Sequence, residues 1–159
     1  MASDIFAKIG DIKGESLDDK HKGEIDVLSF SWGVSNASSV TTGGGAGVGK
    51  ASFQDMTFVH RIDSASNNLM EACTTGAHYP DATITHRKAG KGQQEFLIYK
   101  MNEVYVTNVH QNNSPEGDTT ETVSLTFAKV AVEYHAQKTD GSLDAAKFFK
   151  YDIKGQKKL

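Results

Sequence analysis

Apolar and polar positions alternate along most of this chain. Ile5, Ala7 and Ile9 alternate with Phe6 and Lys8 and predict an opening strand. Leu28, Phe30, Trp32 and Val34 then share one face of an extended segment, and Ser29, Ser31, Gly33 and Ser35 share the other. The first set is expected to fill an interior, the second to form a small, smooth polar surface. Ile25 and Val27 precede them in the opposite phase, which predicts a bulge or two-sided burial near Val27. Met56, Phe58 and His60 alternate with Thr57 and Val59, and further strands are expected over 82–87, 95–109, 123–135 and 147–154.

Turn chemistry separates these runs: Ala89-Gly90-Lys91-Gly92, Ser114-Pro115-Glu116-Gly117 and Asp140-Gly141. The two prolines, Pro80 and Pro115, are placed outside the strands. One segment follows a helical period instead. Ala65, Leu69, Ala72 and Cys73 recur at helix spacing between Ser64 and Thr75, with Asp63 or Ser64 as cap and Gly76 at the C-terminus. The class is therefore all-β with one short α-helix, a barrel or sandwich, in a single domain over 1–159. Val123, Leu125 and Phe127 fall on one face of their strand, and Val130, Val132 and Tyr134 on the other. Burial on both faces of an antiparallel sheet implies an outer cover, for which neighbouring subunits are the expectation.

The run Gly43 to Gly49 contains five glycines in seven residues and ends on Lys50. It nearly spells a phosphate loop, but Ala51 stands where a hydroxyl must hold magnesium, and Ser52 to Val59 reads as strand where an anion-binding helix must start. The remaining chemistry is equally spare. Six histidines are scattered without ligand spacing, no G-x-S-x-G elbow occurs, and Asp18-Asp19 and Glu116/Asp118 read as solvated loop carboxylates. Cys73 is the only cysteine and reads as a buried structural thiol, so no internal disulfide is available. No enzyme, cofactor or metal is expected.

Net charge is −3, from 17 basic and 20 acidic residues, which gives no general field for nucleic acid or an anionic membrane. Lys154, Lys157 and Lys158 read as a solvated tail. Charges through the first residues leave no apolar core for a cleavable signal peptide, and no run reaches the roughly 18 apolar residues of a membrane span. The expectation is a chain that folds in the cytoplasm and, if exported, leaves by a specialised route.

Several blocks, taken in order, resemble the Hcp proteins of type VI secretion systems in Gram-negative bacteria. They are residues 4–16 (DIFAKIGDIKGES), residues 24–33 (EIDVLSFSWG), the glycine run, residues 68–73 (NLMEAC), His78-Tyr79-Pro80, Arg87-Lys88-Ala89-Gly90, and 134–141 with Gln137-Lys138 and Asp140-Gly141. The resemblance implies a β-barrel of two antiparallel sheets with a helix packed at its side. It also implies a homohexameric ring, stacking of rings into a tube exported with sheath and spike proteins, and a lumen that holds small effectors. On that basis Ser29, Ser31 and Ser35 are candidates for the lumen face, with an ordinary wet sheet face as the alternative. Gly43, Gly44, Gly45, Gly47, Gly49 and Lys50 are candidates for a long hairpin loop reaching a neighbouring subunit or ring, where absent side chains let backbones approach. A surface loop touching nothing is the alternative there. Outward residues of the two long strands are candidates for the ring interface. The competing function is a monomeric β-sandwich that binds carbohydrate or peptide through its loops.

Overall fold

The computed structural model describes residues 2–37, 50–90 and 92–159. In chain order these form β1 (Ser3–Ile9), β2 (Ile25–Ser31), β3 (Val34–Asn36), β4 (Ala51–Phe53), β5 (Met56–Arg61), α1 (Ser66–Thr75), β6 (His78–Lys88), β7 (Glu95–Asn112), β8 (Thr120–Tyr134), β9 (Lys147–Asp152) and β10 (Lys157–Lys158). The main sheet has the order β10-β9-β8-β5-β2-β1-β6-β7, and an added pairing of β7 with β8 closes six of its strands into a barrel. A second, two-stranded sheet pairs β3 with β4. Every pairing is antiparallel.

The long strands β7 and β8 divide the barrel into two walls. The first half of β8 pairs with β5, from Thr120 to Leu125, and its second half pairs with β9, from Lys129 to Tyr134. One wall therefore runs β2-β5-β8-β7, the other β1-β6-β7-β8-β9. Between them lie Ile9, Ile25, Met56, Phe58, Ile84, Met101 and Leu125, all fully buried. Each such side chain stabilises the fold by roughly 1.5–3 kcal/mol. The alternation expected for β5 holds, with Met56, Phe58 and His60 inside.

The bulge expected near Val27 is present. Val27 pairs with His60, but the next paired residue, Ser29, meets Val59, so Leu28 is the extra residue in β2. This overturns part of the interior assignment. Ile25 and Val27 face the core before the bulge and Phe30 packs against it afterwards, whereas Leu28 and Val34 are 44% and 52% exposed. Trp32 is half-buried and donates its indole N–H to the Gln54 carbonyl at 3.1 Å.

A second change of phase overturns the two-sided burial expected of β8. Phe127 pairs with Val104 and Val130 with Met101, and all four side chains are buried in the same core. Glu103, between them on β7, has φ +55°, a left-handed kink that re-aims the strand. Pro80 sits opposite, inside β6 and not outside the strands as expected, unpaired between Tyr79↔Val104 and Asp81↔Asn102. A proline offers no N–H to the ladder, so the kink in its partner falls where no bond is lost.

α1 buries Ser66, Leu69 and Ala72, and Cys73 packs half-buried against the core. Gly76 ends the helix at φ 68°, ψ 34°, with its N–H on the Ala72 carbonyl, as the sequence predicts. The start differs. Ala65 is the cap residue with no side-chain cap bond, and Asp63 Oδ1 instead accepts the Ala65 amide at 2.8 Å.

Residues 10–24 form a strap over the barrel. Its arms are joined by Gly14 N–H to Gly23 O at 2.8 Å and Ser16 N–H to Glu24 O at 2.9 Å. Asp18, expected to be solvated, accepts two bonds from Arg87 at 2.9 and 2.7 Å. The Phe6 ring stacks with His21, 4.3 Å away, and the Arg87 guanidinium lies 4.9 Å over it. His21 is itself held by Glu24 at 2.6 Å and Glu95 at 2.7 Å.

Candidate functional site

Two adjoining rows on the outer surface of the β2-β5-β8-β7 wall are built from uncharged residues. Its register aligns Ser31 with Thr57, Thr57 with Ser124, and Ser124 with Asn108. The next row aligns Ser29 with Val59, Val59 with Thr122, and Thr122 with His110. Paired residues of an antiparallel sheet share a face, so these side chains stand together. Their alternates, Phe58, Val123 and Leu125, are buried.

Hydroxyls bond along this wall. Thr57 Oγ1 and Ser124 Oγ are 3.0 Å apart, and Thr107 Oγ1 donates to Asp55 Oδ2 at 2.7 Å. Arg61, in the last row, is held by Asp118 at 3.2 Å. The surface thus presents short hydroxyl and amide side chains with few long or charged groups to grip a passing molecule.

Of the sequence candidates, Ser29 and Ser31 are exposed on this wall. Ser35 is exposed as well, but it belongs to the separate ribbon, where it pairs with Ser52. Gly43, Gly44, Gly45, Gly47 and Gly49 lie outside the described residues; Lys50, beside β4, is exposed. Thr57, Thr122, Ser124, Asn108 and His110 complete the wall and are not among the sequence candidates. Their alternation with Phe58, Val123 and Leu125 was a visible signal, but the strands that carry them become neighbours only through long-range pairing.

Elsewhere polar side chains are tied into the fold. No group of three or more metal-ligating side chains occurs among the described residues. Asp11, Glu71 and Tyr79 line a concavity of about 310 Å³ beside α1. Burial pushes the Tyr79 phenol above its usual value, and the charges of Asp11 and Glu71 push it the same way, so it stays a neutral hydroxyl. His86 is lowered by burial alone, and His60 bonds Glu121 beneath the wall at 2.9 Å. No helix among the described residues is long and apolar enough to cross a membrane.

Barrel, strap and ribbon define a small β-barrel protein whose distinctive surface is a wall. A family model described as "Type VI secretion system effector, Hcp" matches residues 6–134, and the chain belongs to the Hcp family of type VI secretion proteins. It is 51% identical over 146 residues to Protein hcp1 of Pseudomonas aeruginosa, covering 91% of this chain and 90% of that protein. Among solved structures, Hcp1 from Salmonella typhimurium is 38% identical with a TM-score of 0.80, over all of both chains. A structure described as a type six secretion system protein matches at TM-score 0.94 and 28% identity, over 99% of this chain and 100% of that one.

Proposed function

We propose that this chain is a subunit of the type VI inner tube, and that six copies close head to tail into a ring whose lumen is lined by the uncharged wall. Rings stack into a tube that is assembled in the cytoplasm within a sheath and exported behind a spike, carrying small effectors inside. The role is structural, without catalysis. The observation that carries this reading is the wall itself. Ser29, Ser31, Thr57 and Ser124 give a smooth hydroxyl surface that a folded cargo can touch without being trapped. Exposed apolar side chains at Leu17, Tyr105, Phe148 and Phe149 support an assembling protein. A head-to-tail ring joins one face of a subunit to a different face of the next. Residues 43–50 would reach the neighbouring subunit or ring.

Electron microscopy and solution mass of the purified protein test the assembly. Ring-shaped particles of six copies support it, and a stable 17.2 kDa monomer favours the carbohydrate- or peptide-binding alternative. Ser31→Tyr tests the lumen. It should abolish retention of cargo and leave ring size unchanged; cargo export at the native level would refute the placement.

A further inference from the structure

The other wall carries an ordered line of charge. Its register aligns Lys8 with Thr83, Thr83 with Lys100, Lys100 with Ala131, and Ala131 with Lys150. Lysine and a small residue therefore alternate across five strands, β1-β6-β7-β8-β9, on one face. All three lysines are exposed. Lys8, Thr83, Lys100 and Ala131 line one shallow concavity of about 420 Å³ with Asp81 at its side, and Lys150 continues the row on β9 beside Ala131.

The rows on either side carry carboxylates. One holds Asp81, Lys129, Asp152 and Lys157, the other Glu133 beside Phe148. Lys100 reaches Glu133 only at 3.8 Å, Lys150 lies 4.8 Å over the Phe148 ring, and Lys8 has no ion pair among the described residues. A nucleic-acid backbone presents unbroken negative charge, which Asp81, Asp152 and Glu133 would repel. A partner with a single file of carboxylates fits the line better.

Spacing selects the form of that partner. Lysines two strands apart stand about 9.6 Å apart, from a strand separation of about 4.8 Å. Helix residues seven apart are about 10.5 Å apart along the axis and on nearly the same face. Same-face residues of an extended strand fall at about 6.7 or 13 Å and miss the lysines. We infer that this row docks an acidic amphipathic α-helix of a partner protein. The helix lies across the strands with carboxylates every seventh residue over Lys8, Lys100 and Lys150, and its body rests on Thr83 and Ala131. This site is independent of what the hydroxyl wall faces.

The test uses the full chain and two labelled helical peptides of equal composition, read by fluorescence anisotropy at low salt. In one, glutamates recur every seventh residue; in the other, every fifth. The heptad peptide should bind, and more tightly than its isomer. The triple variant Lys8→Gln/Lys100→Gln/Lys150→Gln should weaken it about tenfold, from three exposed pairs. Lys154→Gln/Lys158→Gln, which lies off the row, should leave it unchanged. Lys100→Glu should regain affinity for a heptad peptide whose middle glutamate is lysine. Equal binding of the isomers, tighter binding of a DNA duplex, or full affinity in the triple variant overturns the inference. Loss of self-association in the triple variant also overturns it, by making the row a contact between copies of this chain.

Discussion

His60 Nε2 lies 2.9 Å from Glu121 Oε1, and neither side chain has any exposure. Gln111 donates to the second Glu121 oxygen at 2.8 Å, and Asp63 Oδ2 stands 3.7 Å from His60 Nδ1. Burial pulls the proton affinity of His60 down, but Asp63 and Glu121 outweigh it, and the pKa ends above the ordinary value. A group raised on folding contributes stability that is complete below its unfolded value, about 6.5 for histidine, and lost as pH rises through the folded value. His135 is raised by the Asp144 carbonyl and then by Glu133, and adds in the same direction. The contributions of His60 and His135 to the denaturation midpoint should therefore fall between mildly acidic and alkaline pH, while His86, lowered by burial, contributes in the opposite direction. Glu121→Gln should cost roughly 3–5 kcal/mol, the usual effect of breaking a buried pair from one side, and should flatten the alkaline slope. A slope unchanged in that variant removes His60–Glu121 as its cause.

Asp18 governs the acid side. The Arg87 guanidinium, with two hydrogen bonds, holds its carboxyl down to about 2. A depressed carboxylate contributes stability that is present above its unfolded value of about 3.9 and lost as pH falls through the folded one. The strap should loosen between roughly pH 4 and 2. Amide exchange at Gly14, Ser16 and Gly23 reads this directly, because their bonds join the strap's arms. Asp18→Asn should show fast exchange at neutral pH. If those amides stay as protected as in the native chain, the Asp18–Arg87 pair does not hold the strap.

Alternation made the strands and the barrel class legible, and the Gly76 cap was legible from one residue. Two phase changes depart from simple alternation. The change of phase at Val27 announces the bulge, but simple alternation places Leu28 and Val34 in one set with Phe30, as in a regular strand. The runs 123–127 and 130–134 alternate as opposite faces, because nothing local marks Glu103 on β7 as the kink that brings Phe127 and Val130 into one core. Asp18 reads as solvated for a related reason, since its partner Arg87 is 69 residues away. The hydroxyl wall was half legible: Ser29 and Ser31 lie on it, while Thr57, Thr122 and Ser124 join them through register, which sequence does not carry. Ser35 differs because the chain leaves the barrel after β2 and enters the ribbon.

That bulge makes a direct prediction about two apolar residues of similar appearance in the sequence. Leu28 is 44% exposed and Phe58 is fully buried. Leu28→Ser should change stability by no more than about 0.5 kcal/mol, as surface substitutions do. Phe58→Ala should cost about 3–5 kcal/mol through lost burial and the cavity left behind. Urea titrations at neutral pH compare them. A loss of several kcal/mol for Leu28→Ser would return Leu28 to the interior and remove the bulge.

Gly14 separates close approach from backbone conformation. A Cβ there would stand 2.5 Å from the Glu24 carbonyl oxygen and 2.8 Å from its carbon, both backbone atoms. That oxygen already accepts the Ser16 amide at 2.9 Å, so it cannot retreat without breaking the strap. Gly76 is the reverse case, with φ +68° and open space where a Cβ would be. Gly76→Ala should cost about 1–2 kcal/mol from the left-handed conformation alone, with the strap amides still protected. Gly14→Ala should cost about 1–3 kcal/mol by overpacking. It should also speed exchange at Ser16 and Gly23 and carry Asp18 away from Arg87. Equal strap protection in the two variants would show that the arms have room for a methyl group, against the close approach seen at Gly14.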